Sequence, residues 1–519
     1  MTAKHVENVR TVQGTVQLID TRGQTRRIPV PSNDPNDPLN FPNWRRYPIF
    51  ISLCLYGACA FGVVQSASLF FPQMIPDYMQ QTRGTFNPAN ISYLANYPSL
   101  CMGVGNFLFV PLSIALGRRP IFLLNSMLMV ASLIWAAKSE SFASHLGARC
   151  LQGLSAGISD CLLPIIVLDV TFIHERGLWM GLYWSVTAIF SDLLLTAVPF
   201  VVEHANNNWR MNYYFWLAFA AISLLVAFIC LPETLFERPP GVYDGKVVVT
   251  DAYGQLRVFD DLDSAVQAGF CQEEGVDQSD LNVSYWKQLS VFGKVSKKSF
   301  EQFLNAYAEM AVCIITPGIL WSLLVNAFVF GGLVAYSITY SQLLVAPPWS
   351  FSFAAVGTIF VGATVGALVS MFATGKSVDV LASFLTRRNG GLREPEFLLP
   401  SFIPPAIVGF IALVSYGVVG GHPERYSWVA VHASFALYEY AFIAISTITG
   451  VWLGELVPRL SGPAIVYSFT SWIAHEGFQN THITLGGIFL GLCALGVPLY
   501  FVNRYFRAVY TPLLVKVLN

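Results

Sequence analysis

Charged residues are scarce in this sequence. Asp, Glu, Lys and Arg make up 12% of its 519 residues, about half of the roughly 25% that is usual in a soluble globular domain. The formal net charge is only −1, so no electrostatic attraction to nucleic acid is expected. The composition therefore argues against a soluble globular protein and against a nucleic-acid-binding protein.

Cofactor and metal motifs are also missing. The nine cysteines are scattered singly, eight of them within apolar runs, which is not the spacing of a zinc site or of a disulfide framework. No G-x-x-x-x-G-K-[ST] loop for binding ATP is present. We expect neither a cofactor nor a bound metal, and we expect the chain to be a monomer.

Long apolar runs are what the sequence has instead. Twelve of them come close to the roughly 20 residues that an α-helix needs to cross a bilayer. They predict an all-α membrane protein with twelve transmembrane helices in two six-helix halves. The runs lie at 48–71, 93–115, 120–138, 142–169, 178–201, 211–231, 314–337, 354–376, 398–419, 428–451, 463–482 and 484–503.

A polar segment separates the first six runs from the last six. It predicts a cytoplasmic linker at 232–313 between six-helix bundles at 48–231 and 314–503, with tails at 1–47 and 504–519. Of the 30 Lys and Arg residues, 25 fall in the tails and in the loops between even and odd runs. Because Lys and Arg are retained on the cytoplasmic side, both termini are predicted to be cytoplasmic.

The same topology places the first loop outside. Asn90 begins the sequon Asn90-Ile91-Ser92 in that loop and is predicted to be glycosylated, whereas Asn282 in the linker is predicted to stay unmodified. No cleaved signal peptide is evident, so the first run is expected to act as its own insertion signal. The plasma membrane is the predicted location, with the vacuolar membrane as the alternative.

One short motif suggests an enzyme. Gly153-Leu154-Ser155-Ala156-Gly157 matches the G-x-S-x-G turn that holds the nucleophile of serine hydrolases. That turn needs a strand before it and a helix after it, whereas this motif lies inside one apolar run. Gly153 and Gly157 also form a G-x-x-x-G pair, which lets two membrane helices approach closely. We therefore interpret Ser155 as a packing residue and predict that the protein is not an enzyme.

Four charged residues lie well inside three of the predicted spans: Arg149, Asp160, Asp192 and Glu439. Each costs about 2.5–3.5 kcal/mol at a helix centre on insertion scales, so their presence predicts a role in moving protons or substrate. A fixed pair of Arg149 with Asp192, which would only join spans four and five, is the structural alternative. His432 and the neighbours His475 and Glu476 are weaker candidates.

Five stretches of the sequence are similar to signatures of one family of membrane transporters. "NFLFVPLSIALGRRPIFLL" resembles the signature G-x-x-x-D-R-x-G-R-R after the second span, and "ARCLQGLSAGI" resembles R-x-x-Q-G in the fourth. "LDVTFIHERGLWMGLY", "LPETLFERP" and "RRNGGLREPE" resemble stretches of a fungal branch. The family is the major facilitator superfamily, and the branch is its twelve-span drug:proton antiporters. The resemblance covers about residues 38–505 and implies the major facilitator fold.

The sequence departs from the family pattern at two places. Ile114 and Ala115 stand where the loop signature has an acidic and a basic residue. Asp169, at the end of span four, therefore becomes the expected partner of Arg118 or Arg119. The stretch "SDLLLTAVP" stands where antiporters of the branch carry G-P-x-x-G-G in the fifth span. Since that bend is the trait most associated with proton antiport, the resemblance alone does not imply proton coupling.

Residues at the ends of even-numbered spans form two matched groups in the two halves. The group in the first half is Gly117, Arg118, Arg119 and Asp169, and the group in the second half is Asp379, Arg387 and Arg388. Their matched placement predicts latches that hold the cytoplasmic side shut in one state. The alternative is that the arginines only fix the orientation of the chain in the membrane.

These features together predict a secondary active transporter in the lipid bilayer. It would export a small, mostly apolar organic compound, a drug or a secondary metabolite, by alternating access. Asp160, Asp192 or Glu439 would take up the coupled proton, and Arg149 would contact the substrate. A proton-coupled importer of a small organic cation or nutrient is the alternative. A membrane sensor and a membrane-embedded hydrolase are interpretations from other classes that fit the sequence less well.

Overall fold

The computed structural model describes residues 16–19, 25–31, 37–236, 247–250, 256–259, 289, 299–456 and 478–506. Helices make up nearly all of these residues, which confirms the predicted all-α architecture. Eleven of the described helices are long and apolar enough to cross a membrane. In chain order they are α1 (Asn43–Leu69), α2 (Pro88–Leu116), α3 (Arg118–Ala137), α4 (Phe142–Asp169), α5 (Ile173–His204), α6 (Arg210–Cys230), α7 (Pro317–Val345), α8 (Phe353–Arg388), α9 (Pro395–Gly421), α10 (Trp428–Leu456) and α11 (Phe478–Phe506).

Helices α1 to α10 correspond to the first ten predicted spans, and α11 corresponds to the twelfth. Residues 463–477 of the predicted eleventh span lie outside the described residues. Residues 478–482, predicted to end that span, instead begin α11. Several helices are longer than their apolar runs because backbone hydrogen bonding continues beyond the apolar segment. An example is α5, which covers Ile173–His204 instead of 178–201.

Local sequence explains two of the helix boundaries. Gly117 separates α2 from α3 with a φ of 106°, a conformation that a residue with a Cβ rarely adopts. Within α4, a 3-10 turn at Gly157–Ser159 interrupts the α-helix shortly before Pro164. Proline has no N–H, so the carbonyl of Asp160 loses its usual helical partner. The result is an irregular turn at Asp160 in the middle of the bundle.

Small residues let α4 pack closely on α2. Gly153 and Gly157 face backbone carbonyls of α2, and neither position has room for a Cβ. This is the close approach that a G-x-x-x-G pair allows in a membrane. Ser155 lies between them in the helical part of α4, buried, with its hydroxyl donating to the Gln152 carbonyl at 3.0 Å. The motif is therefore helical here and has no strand before it.

The helices form two bundles, here called the first half (α1–α6) and the second half (α7–α11). In the first half, α1 packs on α5 and α6, and α4 packs on α2 and α3. In the second half, α10 packs on α8 and α9, and α9 packs on α11. Helix α5 contacts α8 and α10 and so forms much of the boundary between the halves. One core of buried apolar side chains extends through both bundles.

Two further helices and four short strands lie among the described residues outside these bundles. Helix Phe71–Gln81 follows α1, and helix Ser299–Ile315 precedes α7. The second of these packs on α2, where the rings of Tyr307 and Phe107 are 4.9 Å apart. The strands are β1 (Val16–Gln17), β2 (Val247–Thr250), β3 (Leu256–Phe259) and β4 (Leu392–Arg393). They form the antiparallel pairs β1–β4 and β2–β3.

Candidate functional site

The two ends of the bundle carry different charged residues. One end, here called the arginine end, holds Arg118 at the start of α3, Arg176 at the start of α5 and Arg393 just before α9. The opposite end holds Asp77 and Arg210, which form an ion pair of 3.6 Å. The arginine end is the side that the distribution of Lys and Arg predicts to be cytoplasmic.

A cavity lies between the two halves, toward the arginine end. Its empty volume, counted together with the open solvent at its mouth, is about 630 Å³. Helices α4 and α5 line it from the first half, and α7 and α10 line it from the second. The lining residues are Asp160, Pro164, Trp184, Leu323, Asn326, Phe330, Phe442, Ser446, Thr449, Gly450 and Leu453.

The lining combines one carboxylate with aromatic rings. Asp160 is the only charged residue among the described residues that line the cavity, and its side chain is partly exposed. Trp184 packs edge to face against Phe442 with ring centroids 5.9 Å apart. The ring centroids of Phe330 and Phe442 are 6.4 Å apart. Because aromatic ring faces attract cations, the lining suits an apolar organic molecule that carries a positive charge.

Two polar atoms of the lining residues have no hydrogen-bond partner among the described residues. They are Nε1 of Trp184 and Oγ1 of Thr449. Leaving a buried polar atom unpaired costs about 1–3 kcal/mol, so a ligand or a water molecule that bonded to these atoms would be stabilised. The cavity therefore offers a carboxylate and aromatic ring faces to a bound molecule.

Two more carboxylates meet at the boundary between the halves. Asp192 of α5 and Glu439 of α10 are both buried, and their charges interact. Asp192 lies about 12 Å along α5 from Trp184, on the side away from the arginine end. Its Oδ2 has no hydrogen-bond partner among the described residues. Loss of either charge, by uptake of a proton, would remove the repulsion between them.

Arg149 is fully buried but does not line the cavity. Its guanidinium donates to four acceptors: the carbonyl oxygens of Val63, Val64 and Leu94 and Oε1 of Gln152, at 2.7, 2.8, 3.0 and 2.7 Å. These bonds join the end of α1 and the start of α2 to α4. Among the described contacts Arg149 has none with Asp192, so the pair that the sequence leaves as an alternative is absent.

Sequence reasoning missed a buried hydrogen-bonded group next to Arg149. His145, one turn earlier in α4, bonds through Nδ1 to the hydroxyl of Tyr78 and through Nε2 to the hydroxyl of Tyr213, both at 2.6 Å. Burial raises the pKa of Tyr78, which lies outside the membrane helices, above its ordinary value, so Tyr78 is neutral at physiological pH. These hydrogen bonds hold the start of α4, which lies opposite the arginine end, against Tyr78 and Tyr213. No spacing rule connects its three members in the sequence.

Arg118 and Arg119 point to different partners at the arginine end. Nε of Arg118 lies 3.4 Å from Oδ2 of Asp169 at the end of α4. The guanidinium of Arg119 donates to the carbonyls of Leu231 and Phe228 at the end of α6. A cation at a helix C-terminus stabilises the exposed carbonyls there. The two neighbours therefore tie α3 to α4 and to α6 respectively.

Glu233, which the sequence analysis did not single out, caps the start of α3. Its carboxylate accepts from the backbone N–H groups of Arg118 and Arg119 at 2.9 and 3.2 Å, where a helix N-terminus favours an anion. A Cβ at Gly117 would collide with this carboxylate. Glu233 belongs to the stretch "LPETLFERP". The sequence therefore indicates the motif but does not indicate that its glutamate contacts α3.

Asp379 makes the contact between the halves at the arginine end. Its carboxylate, in α8, accepts from the backbone N–H groups of Gly177 and Leu178 at the start of α5, at 3.0 and 2.8 Å. Arg387 and Arg388 lie at the end of α8 with exposed side chains. Neither pairs with an acidic residue in the part of the chain that the structure describes. The structure therefore brings Asp379 to this boundary and leaves the two arginines away from it.

Two arginines that sequence reasoning did not select are buried at the same end. Arg393, before α9, pairs with Glu455 of α10 at 2.7 Å. Arg176 donates from Nη1 to a backbone carbonyl of α10 at 3.4 Å, across the boundary. In each half, an arginine near the start of the third helix pairs with an acid at the end of the fourth: Arg118 with Asp169, and Arg393 with Glu455. This repeat differs from the matching of Arg118 and Arg119 with Arg387 and Arg388 that the sequence suggested.

The other predicted residues that the structure describes lie away from the cavity. Asn90 is in the first turn of α2, at the opposite end, with a partly exposed side chain, and its glycosylation stays a prediction. His432 of α10 is partly exposed and bonds through Nδ1 to a backbone carbonyl at 3.2 Å. His475, Glu476 and Asn282 lie outside the described residues.

Comparison with known proteins bears on this arrangement. A model of the Major Facilitator Superfamily matches residues 53–472. An uncharacterized MFS-type transporter of Schizosaccharomyces pombe is 22% identical, over 92% of this chain and 87% of its own length. Protein HOL1 of Saccharomyces cerevisiae is also 22% identical, over 92% of this chain and 90% of its own. A crystal structure of double Trp mutants of XylE, 13% identical, has a TM-score of 0.53 and covers 90% of this chain and 99% of its own.

Proposed function

This chain belongs to the Major Facilitator Superfamily, with relatives in fungi, and on that premise we propose what it transports and how. Its membrane helices and its family make it a multi-pass membrane transporter. We propose that it exports a small, mostly apolar organic compound that carries a positive charge, in exchange for protons, across the plasma membrane. Both termini are cytoplasmic in this proposal.

The cavity between the halves is the observation that carries the proposal. Asp160, the one carboxylate among its described lining residues, lies beside the rings of Trp184, Phe330 and Phe442. No described lining residue is basic, so nothing there would pair with an anionic substrate. The rings supply apolar contact and cation–π attraction, which is worth about 0.5–2 kcal/mol for each good contact. This lining refines the substrate from an apolar compound to an apolar cation.

Contacts between the halves at both ends of the cavity support alternating access. At the arginine end, Asp379 holds the start of α5. At the opposite end, the rings of Phe70 and Phe353, one from each half, are 5.4 Å apart. A rocking motion of one half against the other would break one set of contacts while keeping the other, which is how transporters with two repeats expose a central site to each side in turn.

Asp192 and Glu439 are the proposed proton carriers. They lie on opposite halves, and their mutual repulsion depends on how close the halves are. Uptake of a proton relieves that repulsion and so stabilises the closed boundary. Separation of the halves, or arrival of a cation at Asp160, favours release. Arg149 fits a different role, because it is bonded to backbone carbonyls outside the cavity and holds α1, α2 and α4 together.

A binding assay with 1-methyl-4-phenylpyridinium, a small aromatic cation, tests the substrate class. We expect the purified protein to bind this cation more tightly than 4-methylbiphenyl, which has the same shape without the charge. Asp160→Asn should weaken binding of the cation by about tenfold, since a partly desolvated charge contact is lost, and should leave the neutral compound unaffected.

Glu203→Gln is the matched control. Glu203 is an exposed carboxylate near the end of α5, so its neutralisation changes the net charge by the same amount without touching the cavity. Affinity for the cation should stay at the wild-type value. Equal affinity for the cation and the neutral compound, unchanged in Asp160→Asn, would refute the proposed substrate class.

A further inference from the structure

Part of the N-terminal tail lies against the second half at the arginine end. Strand β1 (Val16–Gln17) pairs antiparallel with β4 (Leu392–Arg393), between α8 and α9. Beyond the strand, the N–H groups of Leu18 and Ile19 donate to the Gly391 carbonyl at 3.0 and 3.2 Å. This portion of the tail is therefore attached by backbone hydrogen bonds to a loop of the second half.

The following portion of the tail lies against the first half. The N–H of Ile173, at the start of α5, donates to the carbonyl of Ile28 at 2.7 Å. The guanidinium of Arg27 lies 6.0 Å above the ring of Phe172. The two portions are held together, because the N–H of Arg26 donates to the carbonyl of Leu18 at 2.8 Å. One short segment thus contacts both halves of the transporter.

Apolar burial adds to these hydrogen bonds. Leu18 and Ile28 are 1% and 0% exposed and cluster with Val16, Ile19 and Ile173, apart from the main core. Four of these five side chains come from the tail, and Ile173 comes from the first half. Since apolar burial is the dominant favourable term in such contacts, detaching the segment exposes side chains that the closed arrangement buries.

The segment lies next to the contacts that close the arginine end. Ile173 precedes Arg176, which reaches α10, and β4 contains Arg393, which pairs with Glu455 of α10. Asp379 holds the start of α5 in the same region. Opening the cavity at this end requires α5 to move away from α8 and α10. That motion separates Ile173 from β4 and so pulls on both attachments of the segment.

We infer that residues 16–19 and 25–31 form a strap that holds the arginine end closed and has to leave one half before that end opens. The inference rests on the alternating access proposed above and adds a regulatory element to it. The strap lies outside the cavity, so it biases the population of the two states without contacting substrate. Anything that detaches it shifts the population toward the state open at the arginine end.

Thiol labelling tests the strap. Leu168 of α4 is 7% exposed and packs against Gly454 of α10 across the boundary, so a cysteine there becomes accessible only when this end opens. In lipid nanodiscs, the rate at which a maleimide labels Leu168→Cys, above that of the parent protein, reports opening. We expect Leu18→Asp with Ile28→Asp to raise this rate by about tenfold, because two apolar anchors are lost.

Val30→Asp is the matched control, since it places the same charge on the same segment at a partly exposed position outside the apolar cluster. It should label at the wild-type rate. Addition of 1-methyl-4-phenylpyridinium distinguishes failure of the strap inference from failure of the proposed alternating access. If the cation changes labelling but the double variant does not, the strap inference fails alone. If neither changes it, the proposed alternating access fails as well.

A cross-link gives an independent readout should the double variant fold poorly. Gln17 and Leu392 are opposite each other in the β1–β4 pair, so cysteines at both positions should form a disulfide that keeps the strap attached to the second half. Oxidised protein should label at Leu168→Cys several-fold more slowly than reduced protein, because the attached strap rebinds the first half at high effective concentration. Equal rates, or failure of the disulfide to form, would overturn the inference.

Discussion

At the scale of single residues, neighbours decide what each buried charge does. Arg149 is surrounded by backbone carbonyls and binds four acceptors at once, whereas Asp160 lies at an irregular turn and faces a cavity. The charges of Asp192 and Glu439, which lie in different halves, interact. The same insertion cost therefore accompanies an arginine that joins helices, a carboxylate proposed to bind substrate and a pair proposed to carry a proton.

The carboxylate pair leads to a prediction about coupling. Glu439→Gln or Asp192→Asn should keep affinity for 1-methyl-4-phenylpyridinium within about twofold, because neither residue lines the cavity, but should reduce accumulation driven by a pH gradient at least tenfold, because the proton site is lost. Binding and flux measured on the same preparations test both parts. Ser191→Ala, a neutral change beside Asp192, should alter neither. Wild-type accumulation in both carboxylate variants would contradict the assignment.

Arg149 leads to a prediction about stability. Arg149→Lys keeps the charge, but an ammonium cannot reach four acceptors on three helices as the planar guanidinium does. Each buried acceptor left unpaired costs about 1–3 kcal/mol, so the thermal unfolding midpoint should fall and transport should fall with it. Arg425→Lys, on the exposed loop before α10, should unfold at the wild-type temperature. An unchanged midpoint in Arg149→Lys would show that the four bonds contribute little.

The sequence alone identifies the charged residues within the spans but not the residues that surround them. Arg149, Asp160, Asp192 and Glu439 stand out because charge is rare in apolar runs. The rings of the cavity do not stand out, since aromatic residues make up 14% of the chain and most of them face lipid or the core. Trp184 acquires its importance only from its neighbours on α10, and no local pattern encodes a contact between residues so distant in the sequence.

At the scale of secondary-structure elements, α5 links most of the features of the site. Its start receives the carboxylate of Asp379, its first turns contribute Trp184 to the cavity, and its middle carries Asp192. A rigid-body movement of α5 against α8 and α10 would therefore change the latch, the substrate site and the proton site together. The strap, attached at Ile173, acts on the same helix.

The ion pair at the end of α4 gives a prediction at this scale. Arg118→Ala and Asp169→Asn should each slow transport, and the double variant should be no slower than the worse single variant, because both changes break one contact. A double-mutant cycle on transport rates should give a coupling of about 0.5–3 kcal/mol. Arg387→Ala combined with Asp169→Asn is the control and should be additive, because Arg387 is exposed and distant. Additive effects of Arg118→Ala and Asp169→Asn would refute a latch formed by the Arg118–Asp169 ion pair.

Elements that depend on apolar length were predictable, and those that depend on distant pairing were not. Eleven of the twelve runs correspond to described helices, because length and hydropathy are local properties. The strand pair β1–β4 joins Val16 to Arg393 and Gln17 to Leu392, through only two residues on each side, a signal too short for any periodicity to reveal. The turn at Asp160 was encoded by Pro164, but the apolar run around it concealed the break.

At the scale of the whole molecule, one charged contact recurs in both halves, although it was only partly visible in the sequence. Arg118 with Asp169 and Arg393 with Glu455 occupy corresponding places in the halves. The boundary between the halves holds the cavity, the carboxylate pair and the contact of Asp379. In the proposed coupled export, one opening and closing of that boundary moves a cation in one direction and a proton in the other.

Flux of 1-methyl-4-phenylpyridinium in proteoliposomes, with the membrane potential held at zero, is the most direct test of that claim. With an imposed pH gradient the cation should accumulate in the more acidic compartment, against its own concentration gradient. Collapse of the pH gradient with nigericin should reduce the flux to equilibration, and Asp160→Asn should abolish it. Transport that continues unchanged after the gradient is collapsed would contradict proton coupling and leave facilitated diffusion as the mechanism.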